Sequence, residues 1–538
     1  MTRLRKVLVL WAGLFLLRQR TAAFQSTPHS QSPATVLGGT TEESSHLVDN
    51  DDAVPAFTEE KEPFEGFDYL SCWYPVIWVQ DIPANQQAKV RVFDTDYVVI
   101  RISKTNEKDQ FVVLRQDPWS PQSAADVMRE GVIPVCCHQG LVWIFPRGGD
   151  TATALKTHPL PSVPEMDENP DRHITTMVRD CPLDWSILVD NILDPDNGLF
   201  SHGIVQFDAD VTDDHREIDA NIQESGEGTR WRIRAQVQGY ERLITLPKEH
   251  FKKRMERKYP APYKTCVVEF CPPSLVTWKR IDNAGETITS SFWICPVGVG
   301  RSRLLSASIA KSSMSVPRWM LHLFVNKFLD RGSLMMAAQQ NHFLNAEKRA
   351  ARRAGGFGQI RHKTHVRKNN LVCNTPLHRM AIRVAQFWDH TLSNVPNRVP
   401  GLLERDASAG LVMDRNMQHL SICPDSQGLV KQCNRVRVAS GAFFLWNAAK
   451  LLATRRSPAA LHRSISVSFP RVVLATVVFR IASKLRWEFK TRHTRVLNDK
   501  SRKKVPLYLQ ESTTDKPAST FLLPAAETTE LFNNTLAL

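Results

Sequence analysis

Six segments of alternating apolar and polar residues, followed by one long amphipathic stretch, constrain this chain more than anything else in it. Ile218 to Ile222, Trp231 to Val237, Cys266 to Phe270, Ser274 to Ile281, Thr287 to Cys295 and Leu304 to Ile309 each set apolar side chains at every second position, with glycine and proline turns between them. A period of two is the signature of a half-buried strand, and six such strands in succession make one large antiparallel sheet. Val316 to Leu344 then carries Trp319, Leu323, Phe328, Leu334 and Phe343 as the apolar positions of a long helix. A sheet with one apolar face and a helix with an apolar stripe bury each other, so the expected class is α+β.

The 538 residues are enough for two or three domains. A net charge of +14 favours acidic partners, yet no zinc-finger, basic-zipper or RNA-recognition spacing accompanies it, so nucleic acid is not expected. Ten cysteines scattered through a long chain are not a disulfide framework. Arg3, Arg5 and Lys6 precede an apolar run, Val7 to Leu17, that suits a signal peptide and is too short to span a bilayer. Thr21-Ala22-Ala23 offers small residues for cleavage, and Glu43 to Glu62 reads as a polar linker.

Upstream of the sheet, Val90 to Val92, Tyr97 to Ile102 and Phe111 to Leu114 read as short antiparallel strands. Asp184 to Leu193 has Trp185, Leu188, Ile192 and Leu193 at helical spacing and is stopped by Pro195. Asp190, Asn191, Asp194, Asp196, Asn197 and His202 crowd that helix end, a set able to hold a hard divalent metal.

Several of these strings resemble the plastid branch of the Rieske-type oxygenases, the pheophorbide a and chlorophyllide a oxygenases and their translocon-associated relatives. DWSILVDNILDPDNGLFSHG (Asp184 to Gly203) is similar to that family's mononuclear-iron segment, Asn-x-x-Asp-x-x-His-x4-His. FDYLSCWYPVIWVQD (Phe67 to Asp81), GLVWIFP (Gly140 to Pro146), CPVGVGRSRLLSAS (Cys295 to Ser308), the helix from Val316, TPLHRMAIRVAQFWD (Thr375 to Asp389) and MDRNMQHLSICPDS (Met413 to Ser426) resemble further family segments, in the family's order. Ala-Phe at Ala23-Phe24 resembles the bipartite presequence of algae with secondary plastids; a plain secretory signal is the alternative.

The resemblance implies a small Rieske-type β domain at 64–157, a helix-grip oxygenase-type domain at 158–400, and apolar C-terminal helices at 401–497 that contact or span the plastid membrane. Residues 1–23 would be the signal peptide, 24–63 transit peptide and linker, and 498–538 a disordered tail. Implied cofactors are a 2Fe-2S cluster and a mononuclear non-haem iron. Implied partners are a chlorophyll-type tetrapyrrole, a ferredoxin-like electron donor and two further copies in a homotrimer. Asn191 and Asp194 fall on the family's catalytic Asn and its electron-bridging Asp, and His202 falls on an iron ligand.

The chain departs from that pattern at the metals. Asn197 stands where the family has the other histidine ligand, and Gly332 where it has the ligating carboxylate. Asp330, two positions away, reads as a surface carboxylate rather than a substitute. Cluster ligation takes two cysteines and two histidines in separate loops, and both loops are missing between Leu114 and Val132. Cys136, Cys137 and His138 lie too far downstream and read as strand and turn. Cys423 is the expected redox residue, but Ser426 replaces the second half of its Cys-x-x-Cys, and Cys433 would need a folded-back loop to reach it. Glu347 to Lys368 reads as a basic solvated loop or an anion-binding surface. Three functions follow from this: an oxygenase whose coding sequence lacks an exon, a non-catalytic pigment binder, or an interaction protein docked at the membrane.

Overall fold

The computed structural model describes residues 62–103, 109–116, 133–167, 173–193, 220–238, 263–282, 285–310, 317–354, 366–370, 378–398, 414–453 and 458–490. Six short strands come first: β1 (Tyr74–Trp78), β2 (Gln87–Val92), β3 (Thr95–Ile102), β4 (Gln110–Gln116), β5 (Val135–His138) and β6 (Leu141–Ile144). They form two three-stranded antiparallel sheets, ordered β1-β6-β5 and β2-β3-β4. Ile133 N–H donates to Val113 O at 3.0 Å, so the backbone entering β5 lies directly against β4. Helix α1 (Thr151–Thr157) follows, its first turn capped by the Asp150 carboxylate.

The large sheet has seven strands, in the order β7-β13-β12-β11-β10-β9-β8. These are β7 (His173–Cys181), β8 (Ala220–Ser225), β9 (Arg232–Gln238), β10 (Tyr263–Cys271), β11 (Leu275–Asp282), β12 (Thr287–Gly298) and β13 (Arg301–Ala310). β8 to β13 run as a meander, and β7 returns to pair with β13, Val178 opposite Leu305. Alternation sorts the side chains to two faces. Leu305, Trp293 and Leu275 pack with Trp78 and Trp143 of the first small sheet. Leu304, Ile294, Val276 and Phe270 face the helical side.

That side is covered by α2 (Trp185–Leu193), α3 (Arg318–Arg353) and α4 (His378–Thr391). α2 is tied to the sheet by Trp278 Nε1–H donating to Ile192 O at 2.9 Å. Phe387 and Trp388 of α4 centre an aromatic cluster with Phe64, Trp231, Phe270 and Trp185. Two hairpin tips lock the small sheets to the large one. Phe93 and Asp94 both take positive φ in the turn between β2 and β3. Their N–H groups donate to Pro296 O and Val297 O. Gly298 sits under that turn, where a Cβ would meet the Asp94 carboxylate at 2.5 Å.

Three expectations change. α3 runs on to Arg353, so the start of the supposed basic loop is helix. Arg367, at its far end, is 1% exposed because carboxylates surround it. The C-terminal segments are longer than their apolar cores: α5 (Pro424–Ala453) and α6 (Pro458–Lys490) are full helices that pack on one another. Among the described residues no helix is long and apolar enough to cross a membrane, because cations interrupt the apolar runs. Cys433 lies within α5, so no loop folds it back to Cys423.

Phe387 joins helix to sheet through five aromatic contacts, so Phe387→Ala is expected to cost about 3–5 kcal/mol of unfolding free energy, read from chemical denaturation.

Candidate functional site

The segment expected to carry the chemistry begins at α2. Asp184 precedes the helix and accepts from Ser186 N–H at 3.1 Å and Ser186 Oγ–H at 2.6 Å. Its other oxygen receives Gly300 N–H from the β12–β13 turn at 3.2 Å and Arg398 at 3.0 Å. Gln340 of α3 accepts from the Asp184 backbone N–H. Arg398 continues to Glu347 of α3 at 2.7 Å, and Glu347 to Arg367 at 2.6 Å. Arg367 donates to Ser186 Oγ at 2.8 Å and lies 3.6 Å from Asp190. Three carboxylates and two guanidiniums thus form one buried network that fixes α2 against α3 and the sheet.

The network sorts its protons. Burial alone would push the Asp184 carboxyl up, but Arg398 and Arg367 outweigh it and hold Asp184 below the usual carboxylate range. For Asp190 burial wins over Arg367 and over the Trp388 indole N–H, which donates to it at 2.7 Å, and the carboxyl is pushed up to about 7. Nothing local in the sequence marks Arg367, Arg398 and Glu347 as one network. They come from loops and helix ends far apart in the chain, and only the lone acidic residue Glu347 in a basic run hinted at them.

Asn191 is the one expected catalytic residue that the structure describes. Its Nδ2 donates to Ile187 O and to Gln339 Oε1 of α3, both at 2.8 Å. Asp194, Asn197 and His202 lie outside the described residues. Gly332 is buried within α3 and offers no donor.

Asp330 is not the surface carboxylate it was taken for. It is 0% exposed, because its face of α3 turns toward β7 and the segment before α5. Arg179 of β7 reaches one of its oxygens at 2.8 Å, and Arg415 holds the other, Nε at 2.8 Å. Arg415 also donates to Glu488 O of α6 at 2.6 Å. Each oxygen of this carboxylate faces a buried guanidinium, and turning it toward a metal would strand two buried cations.

Mapped by the resemblance, the iron position would keep one imidazole, His202, and one amide, Asn197, with Gly332 at the carboxylate position, and that set does not fit a facial triad of three donors. At the cluster, Cys136, Cys137 and His138 occupy a single strand paired to β6.

A carboxyl raised on folding contributes stability below its unfolded value and loses it as pH climbs through its folded one. Asp190 should therefore weaken the fold as pH passes through about 7. Asp190→Asn should flatten that slope, so that its Tm changes less than the parent's between about pH 4 and 7.

No family model matches the chain. Flavonoid 8-hydroxylase 2, chloroplastic, from Ocimum basilicum is 24% identical over 234 residues, 39% of this chain and 40% of that protein. The chain thus spans well under half the length of this curated relative. Among solved structures, NdmA of Pseudomonas putida with theobromine gives a TM-score of 0.40 at 10% identity, covering 62% of this chain and 93% of that one. Dicamba monooxygenase bound to dicamba gives 0.41 at 12% identity, covering 61% and 98%. In its ordered strings, and over the part shared with this curated relative, the chain resembles the plastid Rieske-type oxygenases.

Proposed function

We propose that this chain is a non-oxidising member of its family, which keeps the framework for a flat aromatic ligand of the chlorophyll type and works at a plastid membrane surface. The observation that carries this reading is Asp330. Among the described residues, the carboxylate two positions from the family's third iron position is held by Arg179 and Arg415, and the position itself is Gly332. The sequence between Leu114 and Val132, which lacks the Cys and His of the family's cluster loops, also supports it. The plastid location draws on the chloroplastic relative, and the tetrapyrrole on the resemblance of the strings. Asn191, Asp194 and His202 would then line a ligand site rather than drive oxygen chemistry, and Cys423 would not act as a redox switch.

The membrane part draws on α5 and α6. Val438, Leu445, Trp446 and Leu452 on α5, and Phe469 and Leu474 on α6, are all at least 60% exposed. Exposed apolar residues of this size, in such number, mark a contact surface. Lys431, Arg435, Lys450, Arg471 and Arg480 lie on the same helices and suit anionic headgroups.

A second reading is an active oxygenase of a tetrapyrrole or a flavonoid, favoured by Asn191 being held in place by Gln339. It requires coding sequence for cluster loops between Leu114 and Val132, and an uninterrupted transcript without them removes it.

Purified full chain is expected to contain far less than one iron and one sulfide per molecule, to consume no oxygen with chlorophyllide and reductant, and to shift the chlorophyllide absorbance. Stoichiometric iron and sulfide with oxygen uptake would overturn the proposal. In vesicle cosedimentation with phosphatidylglycerol, replacing Leu445 and Trp446 by Glu should lower binding about tenfold or more, since two large side chains leave the interface.

A further inference from the structure

Away from the iron region, two histidines and the leftover cysteine meet in the core. His322 lies in the second turn of α3. His419 sits in a π-helical turn (Asn416–Leu420), an irregularity common at functional sites. Cys423 and Ser426 lie at the start of α5. Each of the four is at most 1% exposed. Cys423 and His419 are one helical turn apart in the sequence, but nothing in the sequence points to His322.

The outer ring nitrogens are both spoken for. His322 Nε2 lies 2.9 Å from Thr176 O, and His419 Nδ1 lies 2.6 Å from Val178 O. A carbonyl only accepts, so each of these nitrogens carries the proton. Thr176 and Val178 are alternate residues of β7 and share a face. The two rings stand at 90°, with centroids 4.8 Å apart. Their remaining nitrogens, His322 Nδ1 and His419 Nε2, therefore present lone pairs inward. An imidazole fixed by a carbonyl on its far nitrogen is the arrangement that orients metal ligands.

These lone pairs converge on one small volume. His322 Nδ1, His419 Nε2 and Cys423 Sγ all lie within 4.8 Å of one another. Cys423 Sγ is 3.5 Å from His322 Nδ1. Ser426 Oγ is 3.4 Å from His322 Nδ1 and 3.0 Å from His419 Nε2. Bonds of about 2.0–2.3 Å to a tetrahedral zinc put neighbouring ligand atoms about 3.3–3.8 Å apart, which these separations approach.

We infer that His322, His419 and Cys423 bind a structural zinc ion, with Ser426 Oγ at the fourth vertex. Without metal, the Cys423 S–H and Ser426 O–H satisfy the two lone pairs. On binding, the Cys423 proton is released and the thiolate bonds to zinc. Nitrogen and sulfur donors suit zinc over magnesium or calcium. All four side chains are buried, which suits a closed, structural site rather than a catalytic one. The ion would staple the start of α5 to α3 beside the edge strand β7. The inference is independent of the oxygenase question, since none of its residues lies at the family's iron or cluster positions.

Metal-free full chain titrated with zinc against a chromophoric chelator is expected to take up about one tight equivalent. Cobalt(II) in its place should give tetrahedral visible bands with a thiolate charge-transfer band in the near ultraviolet. Cys423→Ser should remove that band and weaken zinc binding about a hundredfold, and Ser426→Cys, which supplies a second thiolate, should tighten it about tenfold or more. Cobalt bound without a thiolate band, or zinc affinity unmoved by Ser426→Cys, would overturn the site even if Cys423→Ser failed to fold.

Discussion

Everything on the helical side of the sheet depends on the ion network around Asp184. Five charged side chains, from the segment before α2, from α2 and α3, and from the loops on either side of α4, are taken out of water together. Such a network costs desolvation energy, and what offsets it is that each carboxylate meets a guanidinium. Its return is position. α2 cannot rotate or slide without breaking contacts to Arg398, Gly300 and Gln340 at once. Whatever ligand the family framework receives, it is presented with Asn191 from a helix fixed in this way.

Two kinds of information in the sequence led to the fold. Period-two alternation marked all six meander strands within a few residues, because one face of each packs on apolar neighbours while the other alternates with it. The resemblance supplied the rest, including the early β segments, where alternation is short. What stayed hidden was long-range pairing of charges. Arg367 and Asp330 look like surface residues in any local window, yet both are buried, because a partner more than twenty residues or a whole domain away neutralises them. Helix ends were hidden too: α3 and α5 run past their apolar stripes on residues of good helix propensity such as Ala, Lys and Arg.

The candidate site divides along the same line. The departure of Asn197 and Gly332 from the family's motif was legible, because both stand in otherwise matched strings. What became of the neighbouring carboxylate was not, since that depends on Arg179 and Arg415 arriving from β7 and from the segment before α5. The histidine–cysteine cluster escaped notice for the same reason. His322 lies about a hundred residues from its partners, and only the packing of α3 on β7 brings them together.

The double clasp on Asp330 also bears on which substitutions this core accepts. Asp330, Arg179 and Arg415 neutralise one another out of water. Removing any one strands an opposite charge among apolar neighbours. The trio can therefore be swapped only as a set, so drift finds each single step closed even where three apolar side chains together would pack.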